Sequence, residues 1–306
     1  MKHNHIKKKK LKSLLWPQII SKLFRPYEKT ELGLVLKKNQ LYSYSMNPQG
    51  QYNIRCFEHH NLWPQVFEDL AQNREHVTAA LLLSDIHYQI LTIDKPLQKT
   101  SEESLNYAIL WQIKNLVDIP LEDIHFDYVD APPTRRKQQI HVCIVKKSWL
   151  ESFVYEAYNQ GVFIEQVSIE EFALSQYSES HQHTIMMLSF LPQQDLLITT
   201  YQTGLLASIR RLKGFADFHN YNQNHITEQI IEPLSLELQR SIDYVENQLK
   251  LPPVQRIEII GDGEASFLAQ SLNATFKQTV AKTSFEDANT TLAKLSWLQL
   301  KQVHGQ

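Results

Sequence analysis

The stretch Ile185–Leu212 reads, in succession, IMMLSF, LPQQD, LLITTY, QTG and LLASIRRL. Three apolar runs are parted by two joints rich in turn formers, which predicts strands over Ile185–Phe190, Leu196–Tyr201 and Leu205–Leu212. Joints this short make the three a meander, with Gly204 in the second turn. Working downstream, a long helix is expected over Ile226–Leu249, and Pro252-Pro253 stops it. Ile257–Ile260 reads as a buried strand that runs into Gly261-Asp262-Gly263-Glu264. A helix follows over Ala265–Leu272, then a short strand over Thr275–Val280, and the tail to Gln306 is helical or irregular.

Upstream, across the polar joint Ser178–His183, the same rhythm recurs. Leu32–Lys37 and Leu41–Ser45 flank Lys38-Asn39-Gln40 as a hairpin, and Tyr52–Cys56 offers a third strand. Leu62–Ala71 reads as a helix. Thr78–Leu83 and His87–Ile93 read as a second hairpin around Ser84-Asp85-Ile86. Thr100 and Glu103 have capping-box spacing ahead of a helix marked by Leu105, Ala108, Ile109, Ile113 and Leu116, and Pro120 is expected to end it. Strands are expected over Ile124–Val129, with Phe126 and Tyr128 on one face, and over Gln139–Val145. Helix Trp149–Tyr158, stopped by Gly161, leads to strand Val162–Ile169 and a short helix over Glu170–Tyr177. Each half is thus a strand meander followed by alternating helices and strands. That is an α/β plan used twice, with no short sequence repeat behind it.

The chain has 306 residues, 42% of them apolar and 21% charged, which fits a folded protein of two lobes and argues against a disordered one. Two cysteines, Cys56 and Cys143, each within an apolar stretch, are expected to be buried and inert in a reducing compartment. No apolar run is long enough to span a bilayer, and Leu11–Phe24, interrupted by Lys12, Pro17 and Lys22, does not have the form of a secretory signal. The net charge of −2 conceals a basic leader over residues 1–30. Lys7, Lys8, Lys9 and Lys10 precede Leu11, Leu14, Leu15, Trp16, Ile19 and Ile20, a cationic amphipathic pattern. Each lysine near anionic lipid is worth about 1 kcal/mol, so the pattern suits reversible docking to such a surface; a solvated leader is the alternative. Nucleic acid is not expected as a partner, since no recognition module accompanies the charge run.

Three segments carry a resemblance. Ala108–Asp127, AILWQIKNLVDIPLEDIHFD, resembles the helix–P-x-E-D/E–strand segment of PilM-like proteins. Glu237–Glu246, ELQRSIDYVE, is similar to that family's E-x-x-R-S-L-D-Y/F helix. Ile257–Gly263 with Ala265 and Leu268 is similar to its strand–Gly-x-Gly–helix element. Order and spacing fit from about Glu31 onward, most closely for the branch that serves the mannose-sensitive haemagglutinin pilus. The resemblance implies an actin-like ATPase fold, two ribonuclease-H-like halves with a small inserted domain. The division expected is a leader over 1–30, a first half over 31–178 with the insert at 79–147, and a second half over 179–306. It further implies a cytoplasmic scaffold of a type IV pilus assembly machine, peripheral to the inner membrane. The scaffold binds the cytoplasmic tail of a PilN-like membrane partner and meets other platform proteins. An active actin-like ATPase is the alternative.

Against that pattern the phosphate loops are broken. Actin-like ATPases carry D-I-G-S-x-x-x-K in the first hairpin, where the acid organises Mg²⁺ and the glycines admit phosphate. In Leu32-Gly33-Leu34-Val35-Leu36-Lys37, Val35 stands in place of the acid and Lys37 in place of a glycine. The second loop falls on Leu188-Ser189-Phe190-Leu191, again with neither. The expectation is a non-hydrolysing pseudo-ATPase with no obligatory cofactor. Gly33, Glu237, Arg240, Gly261, Asp262 and Gly263 remain candidates for holding ATP or ADP; a strand-to-helix corner and a solvated Glu/Arg pair are the structural alternative.

The remaining constellations point nowhere sharp. His181-Gln182-His183 and His59-His60 lack further ligands at metal spacing. Asp127, Asp195 and Asp243 read as scattered surface carboxylates, Trp111 and Trp149 as core, and Arg135-Arg136-Lys137 as a basic turn.

Overall fold

β1 (Thr30–Leu36) reverses through residues 37–39 into β2 (Gln40–Met46), which pairs antiparallel with it and with β3 (Tyr52–Glu58). The computed structural model describes residues 30–59, 62–72, 76–96, 101–134, 138–178, 183–192, 194–215, 218–283 and 287–304. The leader with Lys7–Lys10 and Trp16 lies outside the described residues, as do His60, Thr100, Arg135, Arg136, Lys137, His181 and Gln182. β4 (Val77–Leu83) adds parallel to β1, and β8 (Val162–Ile169) parallel to β4, giving the order β3-β2-β1-β4-β8. Helices α1 (Trp63–Ala71) and α3 (Lys147–Asn159) cover one face: Phe67, Leu70, Phe153 and Ala157 meet Leu32, Leu34, Leu36, Leu81 and Leu83. Gly161 closes α3 at φ +80°.

The second half repeats this plan. β9 (Thr184–Phe190), β10 (Leu196–Gln202) and β11 (Leu205–Leu212) form the expected meander, with Gly204 at φ +80° in its second turn. α5 (Glu228–Asp243) continues through one π-helical turn, Tyr244–Gln248, toward the two prolines. β12 (Val254–Gly261) then pairs parallel to β9, and after α6 (Ala265–Asn273) β13 (Thr279–Lys282) pairs parallel to β12. The order β11-β10-β9-β12-β13 is that of the first sheet. α5 and α6 bury Leu234, Leu238, Ile242, Leu268 and Leu272 on one face of it.

A third sheet, of β5 (Tyr88–Asp94), β7 (Gln139–Lys146) and β6 (Ile124–Asp130), lies between β4 and α3 in the chain and is ordered β5-β7-β6. It is covered by α2 (Glu102–Ile113) through Leu105, Ile109 and Ile113, against which Phe126 and Tyr128 pack from β6.

Three expectations are corrected, and one left open is resolved. β4 and β5 do not form a hairpin: β4 is central in the first sheet and buried throughout, while β5 belongs to the third sheet. Uniform burial is the mark of a parallel strand covered on both faces. α2 ends at Ile113, well before Pro120, and its cap is Ser101, whose Oγ accepts from the Ser104 amide at 3.2 Å. The last short strand begins at Thr279, not Thr275. The tail is a long helix, α7 (Ala288–His304), which crosses back to the first sheet and lies on the face opposite α1 and α3.

That crossing joins the halves. Val35, Tyr44 and Leu82 of the first sheet share one apolar cluster with Met187, Leu191 and Tyr201 of the second and with Leu292, Ala293 and Leu295 of α7. At its end, α7 is held by an ion pair from Lys301 and a hydrogen bond from His304, both to Glu31. Burial pushes the Glu31 carboxyl up, but the hydrogen bonds from Lys301 and His304 more than offset this and leave it below its ordinary range.

Candidate functional site

The residues expected to hold a nucleotide are each engaged by the chain itself. Gly33 is where the α7 backbone comes closest to β1: a Cβ there would overlap the Ala293 carbonyl oxygen and the Trp297 amide nitrogen. A Cβ on Gly261 would fall inside the Phe190 ring. Gly263 takes φ +68°, as the corner into α6 requires. Asp262 accepts from the Ala288 amide at 2.8 Å, tying down the start of α7, and burial raises its carboxyl. Glu237 on α5 is ion-paired with Arg210 of β11 and accepts from Arg240 at 2.6 Å. Each of the six therefore has a structural reason to be what it is, and they fall into three places: Gly33 under α7, Gly261–Gly263 at the α6 corner, and Glu237 with Arg240 on α5.

Between the halves lies a buried polar cluster. β8 delivers Glu170 and Glu171, both fully buried, as the first residues of the short helix α4 (Glu170–Leu174). Lys37, at the end of β1 and itself buried, donates to Glu170 Oε1; Gln194, in the β9–β10 turn, donates to Glu170 Oε2 at 2.7 Å. Arg211 of β11 reaches Glu171 Oε1 and, at 3.1 Å, Asp85 Oδ2, while the Tyr88 hydroxyl donates to Glu171 Oε2. The Tyr201 hydroxyl donates to the Glu171 carbonyl at 2.7 Å. Burial raises the Glu171 carboxyl despite Arg211, and raises Asp85 in the same way.

A second place contrasts with this one. β6 pairs only with β7, and β8 only with β4, so each ends its sheet among the described strands. Residues of both line a narrow, partly open crevice, which includes His125, Asp127, Val129, Cys143, Val167 and Ser168. The alternation of β6 sends Phe126 and Tyr128 into the α2 core and His125, Asp127 and Val129 to the crevice. His125 Nε2 and Ser168 Oγ are buried there without a hydrogen-bond partner. Burial lowers His125 and raises Asp127, the latter in spite of the hydrogen bond it accepts from the Tyr128 amide.

No protein-family model matches the chain, and no curated protein matches it in sequence. Solved structures do. A PilM–PilN type IV pilus biogenesis complex is similar at TM-score 0.64 and 15% identity, over 90% of this chain and 98% of that one. The cytoplasmic domain of EpsL, an inner-membrane component of the Vibrio cholerae type II secretion system, follows at TM-score 0.52 and 11% identity, over 88% and 94%. A Bacteroides thetaiotaomicron protein of unknown function with an actin-like ATPase fold gives TM-score 0.52 and 17% identity, over 87% and 95%. This chain has the actin-like ATPase fold.

The sequence reading did not anticipate the polar cluster between the halves. Glu170, Glu171 and Arg211 read only as parts of a helix and a strand; the partners of Glu170 and Glu171 lie 24 to 133 residues away in the chain. Of the crevice residues, Asp127 read as a surface carboxylate and Cys143 as a buried thiol, and nothing in the sequence joined them to β8. Two smaller expectations are overturned. Cys56 is exposed, because β3 is an edge strand, and Trp111 is half exposed, with the Lys114 ammonium 3.1 Å above its ring. Cys143 lines the crevice, its thiol pushed well up by burial. Asp127 and Asp195 occupy different places, the crevice and the interlobe cluster, and Asp243 is on the outer face of α5. His183 is exposed, and no group of His, Cys, Asp and Glu among the described residues is arranged to hold a metal ion.

Proposed function

We propose that this chain is a docking scaffold of an inner-membrane assembly machine of the type IV pilus and type II secretion class. It takes the cytoplasmic tail of a PilN-like membrane protein as an extended segment in the crevice between β6 and β8. The observation that carries the reading is the crevice itself: two strands that each end a sheet among the described strands, beside two buried side-chain atoms without a hydrogen-bond partner. An extended peptide supplies backbone partners to such an edge, and its alternate side chains enter the pocket. Cytoplasmic tails of membrane proteins are rich in Lys and Arg, which suits Asp127. A solved neighbour that is a PilM–PilN complex supports this choice of partner.

The working place is then the cytoplasmic face of the inner membrane; no described helix is long and apolar enough to cross it. The basic leader would add contact with anionic lipid, and other platform proteins would meet the remaining surface. The motif resemblance favours the mannose-sensitive haemagglutinin branch, that of MshI. Nucleotide hydrolysis is no part of this reading. Lys37 and Arg211, which lie between the halves, are already paired with Glu170, Glu171 and Asp85, which leaves neither free for a phosphate.

Isothermal titration with a synthetic PilN-like tail peptide tests the proposal. Binding is expected in the micromolar range, with Asp127→Lys weakening it by about tenfold or more. No heat at high micromolar peptide, or equal binding by the Asp127→Lys variant, sinks it.

A further inference from the structure

In an actin-like fold the turns after the first strands of the two halves face each other across the cleft. In this chain Lys37 projects from one and Gln194 from the other, and both donate to the two oxygens of one carboxylate, Glu170. The Glu170 side chain is fully buried and that of Lys37 almost so. A buried ammonium requires an anion at hydrogen-bond distance, and in a nucleotide-binding relative a phosphate would lie between these turns. We infer that Glu170 is a built-in anionic ligand, holding the site between the two turns that a phosphate would otherwise take, so that the chain closes its own cleft.

The neighbouring contacts act in the same sense. Glu171, next in sequence, is bound by Arg211 from the second half and by Tyr88, and Tyr201 reaches its carbonyl. Bonds from β11, β10 and the β9–β10 turn thus converge on two successive residues of the first half. Closure by nucleotide would make the association of the halves depend on ligand concentration; closure by Glu170 makes it permanent. The inference stands on the two turns and α4 and does not depend on where a tail peptide binds.

It also predicts a latent oxyanion site. With the Glu170 side chain cut back, Lys37 is left buried and unpaired, and a small carboxylate or phosphate of the right size replaces what was removed. Glu170→Ala is expected to lower Tm by roughly 5–10 °C. Sodium acetate or sodium phosphate, compared with sodium chloride at equal ionic strength, then restores at least half of the loss. The wild type responds to neither, nor to Mg-ATP. A Glu170→Ala protein within 1 °C of wild type, an equal response to chloride, or a wild type stabilised by Mg-ATP each overturns the inference. Should Glu170→Ala not fold, Lys37→Met, Glu170→Gln and their double variant decide it. The double is expected to melt above the less stable single, whereas additive losses overturn the claim.

Discussion

All four carboxylate oxygens of Glu170 and Glu171 between the halves have a donor: Lys37, Gln194, Arg211 and Tyr88. In the crevice between β6 and β8, His125 Nε2 and Ser168 Oγ have none, and both strands end their sheets among the described strands. The first place is where an actin-like fold would receive a ligand, yet the chain has filled it; the second has no counterpart in the phosphate-loop motifs, yet the chain leaves it unfinished. Buried polar groups cost free energy unless paired, so a completed cluster reads as structure and an incomplete one as a place for a partner.

The comparison breaks if the interlobe cluster is not needed. Arg211→Met leaves the buried Glu171 carboxylate with Tyr88 as its remaining side-chain donor, and is expected to cost about 3–5 kcal/mol in urea unfolding. Glu171→Gln added to it removes the stranded charge and recovers a large share. A loss under about 1 kcal/mol for Arg211→Met would mean that the two halves are held by their shared apolar cluster alone.

A pH series sharpens the contrast. His87 is packed against Trp149, ring centroids 4.7 Å apart, and burial lowers it from 6.5 to about 4. Its folded form resists the proton that the unfolded chain accepts, so stability is lost as pH falls from about 6.5 toward 4. For a shift of this size the loss amounts to about 3 kcal/mol at the acid end. Glu171 and Asp85, whose carboxyls are raised, bind protons more readily when folded and act in the opposite direction at acid pH. The difference between wild type and His87→Phe isolates the histidine, and the variant should show a flatter profile across that window. Profiles that run parallel would place His87 in contact with water and the cleft edge open.

Much of the two-sheet plan was legible because its signals are local. The meander Ile185–Leu212 carries its own turns, and Gly161 and Gly204 sit at the positive φ their positions need. The β4–β5 hairpin was misread because Ser84-Asp85-Ile86 looks like a turn. The evidence against it lay in the apolar run Ala79–Leu83 of β4, buried throughout, beside the mixed burial of β5. The path of α7 back to the first sheet had no local signal; only Gly33, whose missing side chain admits that helix, registers it in the sequence. The glycine and its neighbours drew attention for the right reason, close approach, but what approaches is the chain. Buried charge was the least legible, since nothing near Glu170 in sequence announces Lys37.

The smallest expected effect separates these two meanings of a glycine. Gly261 lies under Phe190, a buried ring that packs edge-on against Phe218 at 5.2 Å within the core of the second half. If that contact is why the position is glycine, Gly261→Ala costs about 1–3 kcal/mol through overpacking, whether or not nucleotide is present. Phe190→Val removes the ring that a new methyl would meet. The double variant should then lose about 1 kcal/mol less than the sum of the singles, read from urea midpoints at constant m. If the glycine instead serves a phosphate, Gly261→Ala leaves the midpoint unmoved, the two changes add, and the effect of the methyl emerges only in nucleotide titrations. The presence or absence of coupling between positions 190 and 261 therefore says whether the corner after β12 was shaped by a ring or by a ligand.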